Sequence, residues 1–334
     1  MKVALISTEA LITPPRRYGG VESMVYDLCK GLVEKGVDVT LFACKGSQSP
    51  SGKLVEIIDE GWGRTGQCEA FEKRIVDMKH SLKKFDVIHD NSHIKPCWKI
   101  HKRVLNTLHW EQNPRQCHNN NVVAISEQLA NWAKPRNKGR KVRVVHHGCD
   151  LSKYGFKKDK SDRFLFLSAI NSAKGADVAL SVAKDMNLKM DFAGLGGSVS
   201  GSIEQESKIN PNIMYLGEVT EEKKISLYQN ARALIFPTGV HGNWTEAFGL
   251  VAIEAMSCGT PVIAWNNGAM PEIITQNKTG FICNSIEDIK NSIGKIDNIK
   301  PEDCRKRVEE NFTYQVMAKK YIKLYKKLID GKHW

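Results

Sequence analysis

The sequence predicts two doubly wound α/β domains in tandem, and three observations lead there. Short apolar runs alternate with segments of helical period along the whole chain. The alternation stops at a polar, lysine-rich stretch, residues 150–163, and then starts again. A chain of 334 residues exceeds one ordinary core and suits two domains of about 100–200 residues each. Hydrophobic residues at 41% and charged residues at 26% give the balance of a folded chain, which excludes a disordered one.

In the first half the strand candidates are residues 3–8, 39–43, 86–90, 105–110, 122–126 and 142–147. Between the first two, residues 22–34 place Met24, Leu28 and Leu32 on one helical face. After the polar stretch, which reads as a linker, strands are expected at 164–169, 190–193, 213–216, 233–236, 262–265 and 280–283. Helices fall between them, at 178–186 and 221–231 among others. Strand–helix–strand alternation with short connections predicts parallel sheets covered by helices on both faces. The expected division is 1–152, 153–312 and a C-terminal helix, 313–334, packing back on the first domain. In such sheets a ligand sits beyond the C-terminal strand ends, here in a cleft between the domains.

Composition narrows the function classes. No apolar run approaches the roughly 18–20 residues that span a bilayer. Residues 1–8, MKVALIST, read as a buried strand rather than a signal peptide, so a cytoplasmic protein is expected. The nine cysteines (Cys29, Cys44, Cys68, Cys97, Cys117, Cys149, Cys258, Cys283 and Cys304) are scattered and odd in number. None forms a C-x-x-C pair, so reduced, mostly buried thiols are expected and neither disulfides nor a zinc site. The formal charge of +12 concentrates in 73–84, 134–143 and a C-terminal run with Lys319, Lys320, Lys323, Lys326 and Lys327. A basic surface attracts phosphates of every kind. Phe71, Ile75, Met78, Leu82 and Phe85 recur at helical spacing beside Lys73, Arg74, Lys79, Lys83 and Lys84. Such a helix either packs its stripe on the sheet or docks peripherally on an anionic membrane, at its inner face. Nothing reads as a nucleic-acid groove reader or an aromatic platform for bases, and no nucleic-acid partner is expected.

The chemistry concentrates in residues 236–274, FPTGVHGNWTEAFGLVAIEAMSCGTPVIAWNNGAMPEII. Glu246 and Glu254 lie eight positions apart, about 12 Å if helical throughout. That is the reach of a nucleotide diphosphate sugar, with sugar hydroxyls at one end and ribose hydroxyls at the other. Between them Ala247, Phe248, Gly249 and Leu250 would present backbone N–H groups at a helix N-terminus, a seat for a diphosphate. By contrast, Gly194-Leu195-Gly196-Gly197 fails as a dinucleotide fingerprint, because the third glycine position falls on Val199.

This segment resembles the donor signature of glycosyltransferase family 4, the retaining group 1 enzymes of GT-B architecture, with two facing Rossmann-like domains and an interdomain cleft. The family's paired glutamates fall on Glu246 and Glu254, and its Pro-Glu on Pro271 and Glu272. Residues 18–22, YGGVE, resemble its N-terminal glycine loop, Lys174-Gly175 its phosphate-binding pair, and residues 147–150, HGCD, its domain-closing turn. The resemblance implies that Glu254 accepts from the ribose hydroxyls and that Glu246 contacts the transferred sugar. It also implies that Lys174 steadies the leaving diphosphate. Gly19 and Gly20 would admit a phosphate or the acceptor, and His109 would face the donor sugar. The family's usual Arg, five positions before the Lys, is Ala169 here, a loss of about 1.5–3 kcal/mol of charge-assisted contact. Arg16 and Arg17 are candidate replacements.

The resemblance implies a hexosyltransferase that retains anomeric configuration and uses a nucleotide diphosphate sugar as substrate, UDP ahead of GDP, with a glycan or lipid-linked acceptor. The chain contains no Asp-x-Asp, so neither metal nor cofactor is expected. The alternatives are a weak or inactive sugar-nucleotide-binding protein, and an epimerase or phosphorylase on the same architecture.

Overall fold

The computed structural model describes residues 1–61, 64–111, 121–137 and 141–334, without the side chains of residues 98 and 99. Cys117 and residues 138–140 of the basic segment lie outside the described residues. The chain divides into one unit of Met1–Cys149 with Thr313–Trp334 and a second unit of Asp150–Phe312.

The first unit opens with β1 (Lys2–Ile6), α1 (Gly20–Glu34), β2 (Asp38–Ala43) and β3 (Leu54–Glu56). There follow α2 (Gln67–Asp77), α3 (Lys79–Leu82), β4 (Val87–Asp90), β5 (Val104–Leu108), β6 (Asn121–Ala124), α4 (Glu127–Ala133) and β7 (Arg143–Val144). All seven strands are parallel in the order β3-β2-β1-β4-β5-β6-β7, with Val3 level with both Val39 and Val87. After Lys2, β1 is a continuous buried apolar run because both sheet faces are covered. Met24, Leu28 and Leu32 of α1 are buried as their spacing requires. The predicted strand 142–147 pairs over two residues only, and β3 escaped the sequence reading because three edge residues carry no usable period. The predicted basic helix of 71–85 breaks at Met78, where α2 ends. Phe71, Ile75 and Leu82 are fully buried, with Met78 and Phe85 packed beside them. The apolar stripe therefore belongs to the core, and only its basic flank reaches solvent.

The second unit comprises β8 (Phe164–Leu167), α5 (Ala176–Asp185), β9 (Met190–Ala193), α6 (Ser200–Ile209), β10 (Ile213–Gly217), α7 (Glu221–Asn230) and β11 (Leu234–Phe236). It continues with α8 (Leu250–Ser257), β12 (Val262–Trp265), α9 (Met270–Ile273), β13 (Gly280–Cys283), α10 (Ile286–Ile293) and α11 (Pro301–Asn311). Its six strands are parallel in the order β10-β9-β8-β11-β12-β13. The stretch expected as a linker is instead fastened to this unit. Lys160 donates to the carbonyls of Gln229 and Cys258 and to the Thr260 hydroxyl, and Lys157 to Asn230. Lysine stems and polar heads find main-chain partners there, which composition alone does not reveal.

The last helix, α12 (Tyr314–Ile329), returns to the first unit and packs along α1. A Cβ on Gly31 would lie 2.9 Å from both Ala318 Cβ and the Tyr314 ring, so the glycine sets how closely the two helices approach. Beneath α12, the Tyr325 hydroxyl is 2.6 Å from His89 Nδ1, and His89 Nε2 is 2.7 Å from the Thr107 hydroxyl. Among the described residues no helix is long and apolar enough to cross a membrane.

In each unit the first strand has neighbours that lead away in opposite directions. The chain reverses between β1 and β4, and again between β8 and β11. These are the topological switch points at which open α/β sheets hold their ligands.

Candidate functional site

At the switch point of the second unit, two segments meet, one leaving β8 and one leaving β11. After β8, the Asn171 side chain accepts the Lys174 N–H at 2.9 Å and fixes a single turn of 3-10 helix. Gly175 follows at φ 74°, and a Cβ there would come within 2.5 Å of the Pro237 carbonyl oxygen. The turn is thereby held against the segment that follows β11. From it, the Lys174 ammonium reaches Glu246 Oε2 at 2.7 Å, with the two side chains only 18% and 13% exposed. Ala169, in the position of the missing cation, is half-buried.

Glu246 is positioned through its backbone. Its N–H donates to Asn267 Oδ1 (3.3 Å) and its carbonyl accepts from the Ala269 N–H (2.9 Å). Gly268, at φ 57°, passes so close that a Cβ would sit 1.9 Å from that carbonyl. Asn267 also donates to the Trp244 carbonyl at 2.6 Å, which ties the two segments together.

Glu254 sits one turn into α8 and has its own partners. The Tyr228 hydroxyl donates to Oε2 at 3.0 Å, and the Lys224 ammonium lies 3.4 Å from the same oxygen. Burial opposes the charge on Lys224, but Glu254 and Glu221 outweigh it and hold its pKa above the ordinary lysine value. Tyr228 is fully buried, and burial together with the Glu254 charge keeps its phenol protonated. Tyr228 can thus only donate to Glu254.

Between the glutamates the chain is helical only from Leu250 onward, so Glu246, Ala247 and Phe248 precede the helix. Gly249 is the N-cap at φ 93°, with no side chain to bond the first-turn N–H groups. Phe248 is buried against Phe312, ring centroids 6.1 Å apart, while Ala247 and Leu250 are half-buried. An uncapped helix N-terminus beside a lysine is a ready seat for an anion.

At the switch point of the first unit, Gly19 caps α1 and Gly20 begins it. A Cβ on Gly19 would lie 2.6 Å from Pro15 Cβ, so glycine is needed there for packing against the 13–15 turn. Glu22, in the first turn of α1, is buried and accepts from the Thr8 hydroxyl, and burial raises its pKa. Glu9, beyond β1, takes the His93 ring at 2.8 Å and the His93 N–H at 3.1 Å. Burial of Glu9 opposes ionisation, but the His93 contacts prevail and lower its pKa. His109 follows β5 and stacks on His147, centroids 5.4 Å apart and planes 23° apart. Burial holds both rings neutral: His109 falls well below the ordinary histidine value, and His147 falls to about 3. His109 Nε2 has no hydrogen-bond partner among the described residues. A Cβ on Gly148 would lie 2.2 Å from the Thr313 carbonyl oxygen, where the chain re-enters the first unit. Among the described residues no three His, Cys, Asp or Glu side chains group as a metal site would require.

The structure thus brings Lys174 and Glu246 into contact, seats Glu254 and Gly249 on α8, and places His109, Gly19 and Gly20 in the first unit. Sequence reading missed Tyr228, Lys224, Asn267, Trp244 and the Glu9–His93 pair. Only Asn267, beside the turn glycine Gly268, carried a local signal.

Comparison with known proteins places the chain in a family. The family model for glycosyl transferases group 1 matches residues 151–313, and that for glycosyltransferase family 4 matches residues 18–153. An O-antigen chain mannosyltransferase C of Escherichia coli is 27% identical over 180 residues, covering 51% of this chain and 47% of the relative. The first curated relatives are matched over only about half their own length, 45% and 47%. Among solved structures, AviGT4, a glycosyltransferase involved in avilamycin A biosynthesis, superposes with a TM-score of 0.79 at 22% identity. That match covers 100% of this chain and 99% of AviGT4. HepE of Anabaena, solved with UDP-glucose, gives a TM-score of 0.74 at 13% identity, covering 98% of this chain and 100% of HepE. These likenesses establish the GT-B fold of two Rossmann-like domains. With one family model on each unit, the chain belongs to the group 1 glycosyltransferases, family 4.

Proposed function

We propose that this protein is a retaining glycosyltransferase that moves a hexose from a nucleoside diphosphate, UDP ahead of GDP, to a glycan or lipid-linked acceptor. The observation that carries the reading is the arrangement around α8. A lysine–glutamate pair lies beside the uncapped N-terminus, and a second glutamate is held one turn further on. In this reading Glu254 accepts from the ribose hydroxyls, the α8 N-terminus and Lys174 take the diphosphate, and Glu246 takes the hexose hydroxyls. As the glycosidic bond breaks, negative charge grows on the diphosphate, and preorganised donors aimed at that charge lower the barrier. The acceptor hydroxyl attacks from the face the diphosphate leaves, so configuration is retained. Support comes from the family, from the E. coli mannosyltransferase and from HepE with UDP-glucose. His109, neutral and buried, serves as a hydrogen-bond partner rather than a cation. Contact with an anionic membrane would rest on charge alone, since Phe71, Ile75 and Leu82 are committed to the core, and it would weaken with salt.

The test is thermal shift against nucleoside diphosphates and nucleotide sugars, with EDTA and with added Mg2+. A ligand at about 100 times its Kd adds roughly 2.7 kcal/mol. One nucleotide should stabilise the wild type, and neither Glu254→Ala nor Lys174→Ala should respond. Binding without turnover on any acceptor would favour the sugar-nucleotide-binding alternative, to which Ala169 points. No shift with any nucleotide, under either metal condition, refutes the donor site.

A further inference from the structure

The loop between β11 and α8 holds a large aromatic side chain in water. Trp244 is 49% exposed, although burying a side chain of that size is worth about 1.5–3 kcal/mol. The loop that carries it is nonetheless well fastened. Gly239 (φ 78°) and Gly242 (φ 72°) fold it back on itself. The Gly239 N–H donates to the Ala173 carbonyl (3.0 Å), and His241 meets Asp177 at 2.8 Å. The Trp244 carbonyl accepts from Asn267 at 2.6 Å.

The Lys174 ammonium lies over the indole ring, 4.9 Å from its centroid. That same ammonium is 2.7 Å from Glu246. Ring, cation and carboxylate therefore share one corner, with polar groups on its floor and a flat apolar wall. A pyranose matches such a corner, with C–H groups on its face and hydroxyls on its rim. Binding pockets of this kind combine apolar walls with a few convergent polar groups. A nucleobase would also stack on an indole, but the ribose end is marked by Glu254, whose partners are Tyr228 and Lys224.

We propose that Trp244 is the carbohydrate-stacking residue of this site, its exposed indole receiving the hexose ring of the nucleotide sugar at the corner it forms with Lys174 and Glu246. The inference rests on the donor-site reading above and adds a residue that selects for the sugar rather than the nucleotide.

Isothermal titration of wild type, Trp244→Ala, Trp244→Leu and Trp244→Phe with UDP and UDP-glucose, and with GDP and GDP-mannose, decides it. Trp244→Ala should weaken the nucleotide sugar about tenfold, the size of an aromatic contact. It should leave the free nucleoside diphosphate within about twofold. Trp244→Phe, which keeps a π-face, should recover most of the loss, and Trp244→Leu, apolar without one, should not. Equal weakening of both ligands would overturn the stacking role in favour of action through Lys174 or on the base. Unchanged affinity for the nucleotide sugar would overturn it outright. If wild type binds neither ligand, the donor site itself fails and this inference with it, whereas retained binding by every Trp244 variant removes the stacking role alone.

Discussion

In the proposed donor site, removing the Lys174 ammonium should do more than delete one contact with the diphosphate. Lys174→Met forfeits a charge-assisted interaction of about 1.5–3 kcal/mol, a 10- to 150-fold loss of affinity. It also strands Glu246, whose carboxylate is now 2.7 Å from the ammonium and only 13% exposed. An unneutralised carboxylate about 5–10 Å from a diphosphate charge repels it by roughly 2–3 kcal/mol at an effective dielectric of about 20. Neutralising Glu246 in the same background should relieve that repulsion. The Lys174→Met/Glu246→Gln double variant should therefore bind a nucleoside diphosphate at least about tenfold more tightly than Lys174→Met alone, a coupling that a double-mutant cycle isolates. Titration calorimetry with a nucleoside diphosphate that carries no sugar is the right assay, because it keeps any contact between Glu246 and the hexose out of the comparison. The rescue should shrink between low and high salt. If the double variant binds no better than Lys174→Met, the pair is not one electrostatic unit facing the diphosphate, and the reasoning fails.

Two further outcomes follow from geometry and burial. Gly268→Ala forces a Cβ to within 1.9 Å of the Glu246 carbonyl at φ 57°, so a stability loss of about 1–3 kcal/mol by urea denaturation and weakened nucleotide binding are expected. A wild-type denaturation midpoint would refute the tight turn. His147 is held near 3 in the fold against about 6.5 in an unfolded chain. Between those values the unfolded state binds the extra proton, so its contribution is full above pH 6.5 and falls by about 1.4 kcal/mol per pH unit toward 3. His147→Asn should flatten the dependence of unfolding free energy on pH between 6.5 and 4.5 by about one proton, and an unchanged slope would contradict a neutral buried ring.

The parts of the site that local spacing encodes were legible. Glu246, Gly249 and Glu254 fall within nine residues, and Lys174 stands beside a glycine that must adopt φ 74°. What the topology assembles was not. Glu9 and His93 are 84 positions apart and meet because β1 and β4 pair side by side. Tyr228 and Lys224 occupy α7, a helix of mixed polarity in which only Leu227 and Tyr228 are buried, and nothing in its sequence says that it turns toward Glu254. The polar stretch 150–163 misled for a different reason, since lysines that donate to backbone carbonyls look in sequence like lysines in water.

The return of α12 to the first unit has a consequence for how the chain is made. Tyr321, Tyr325 and Leu328 are part of the core formed with α1, β1 and β2, yet they leave the ribosome after the entire second unit. Residues 1–149 emerge first with the α12-facing side of their sheet uncovered, whereas residues 150–312 carry all of their own strands and helices. Domains that fold during synthesis usually do so from the N-terminus onward. Here the later segment is the one equipped to finish first, and the earlier one waits for its closing helix, with the Gly31 face of α1 still uncovered.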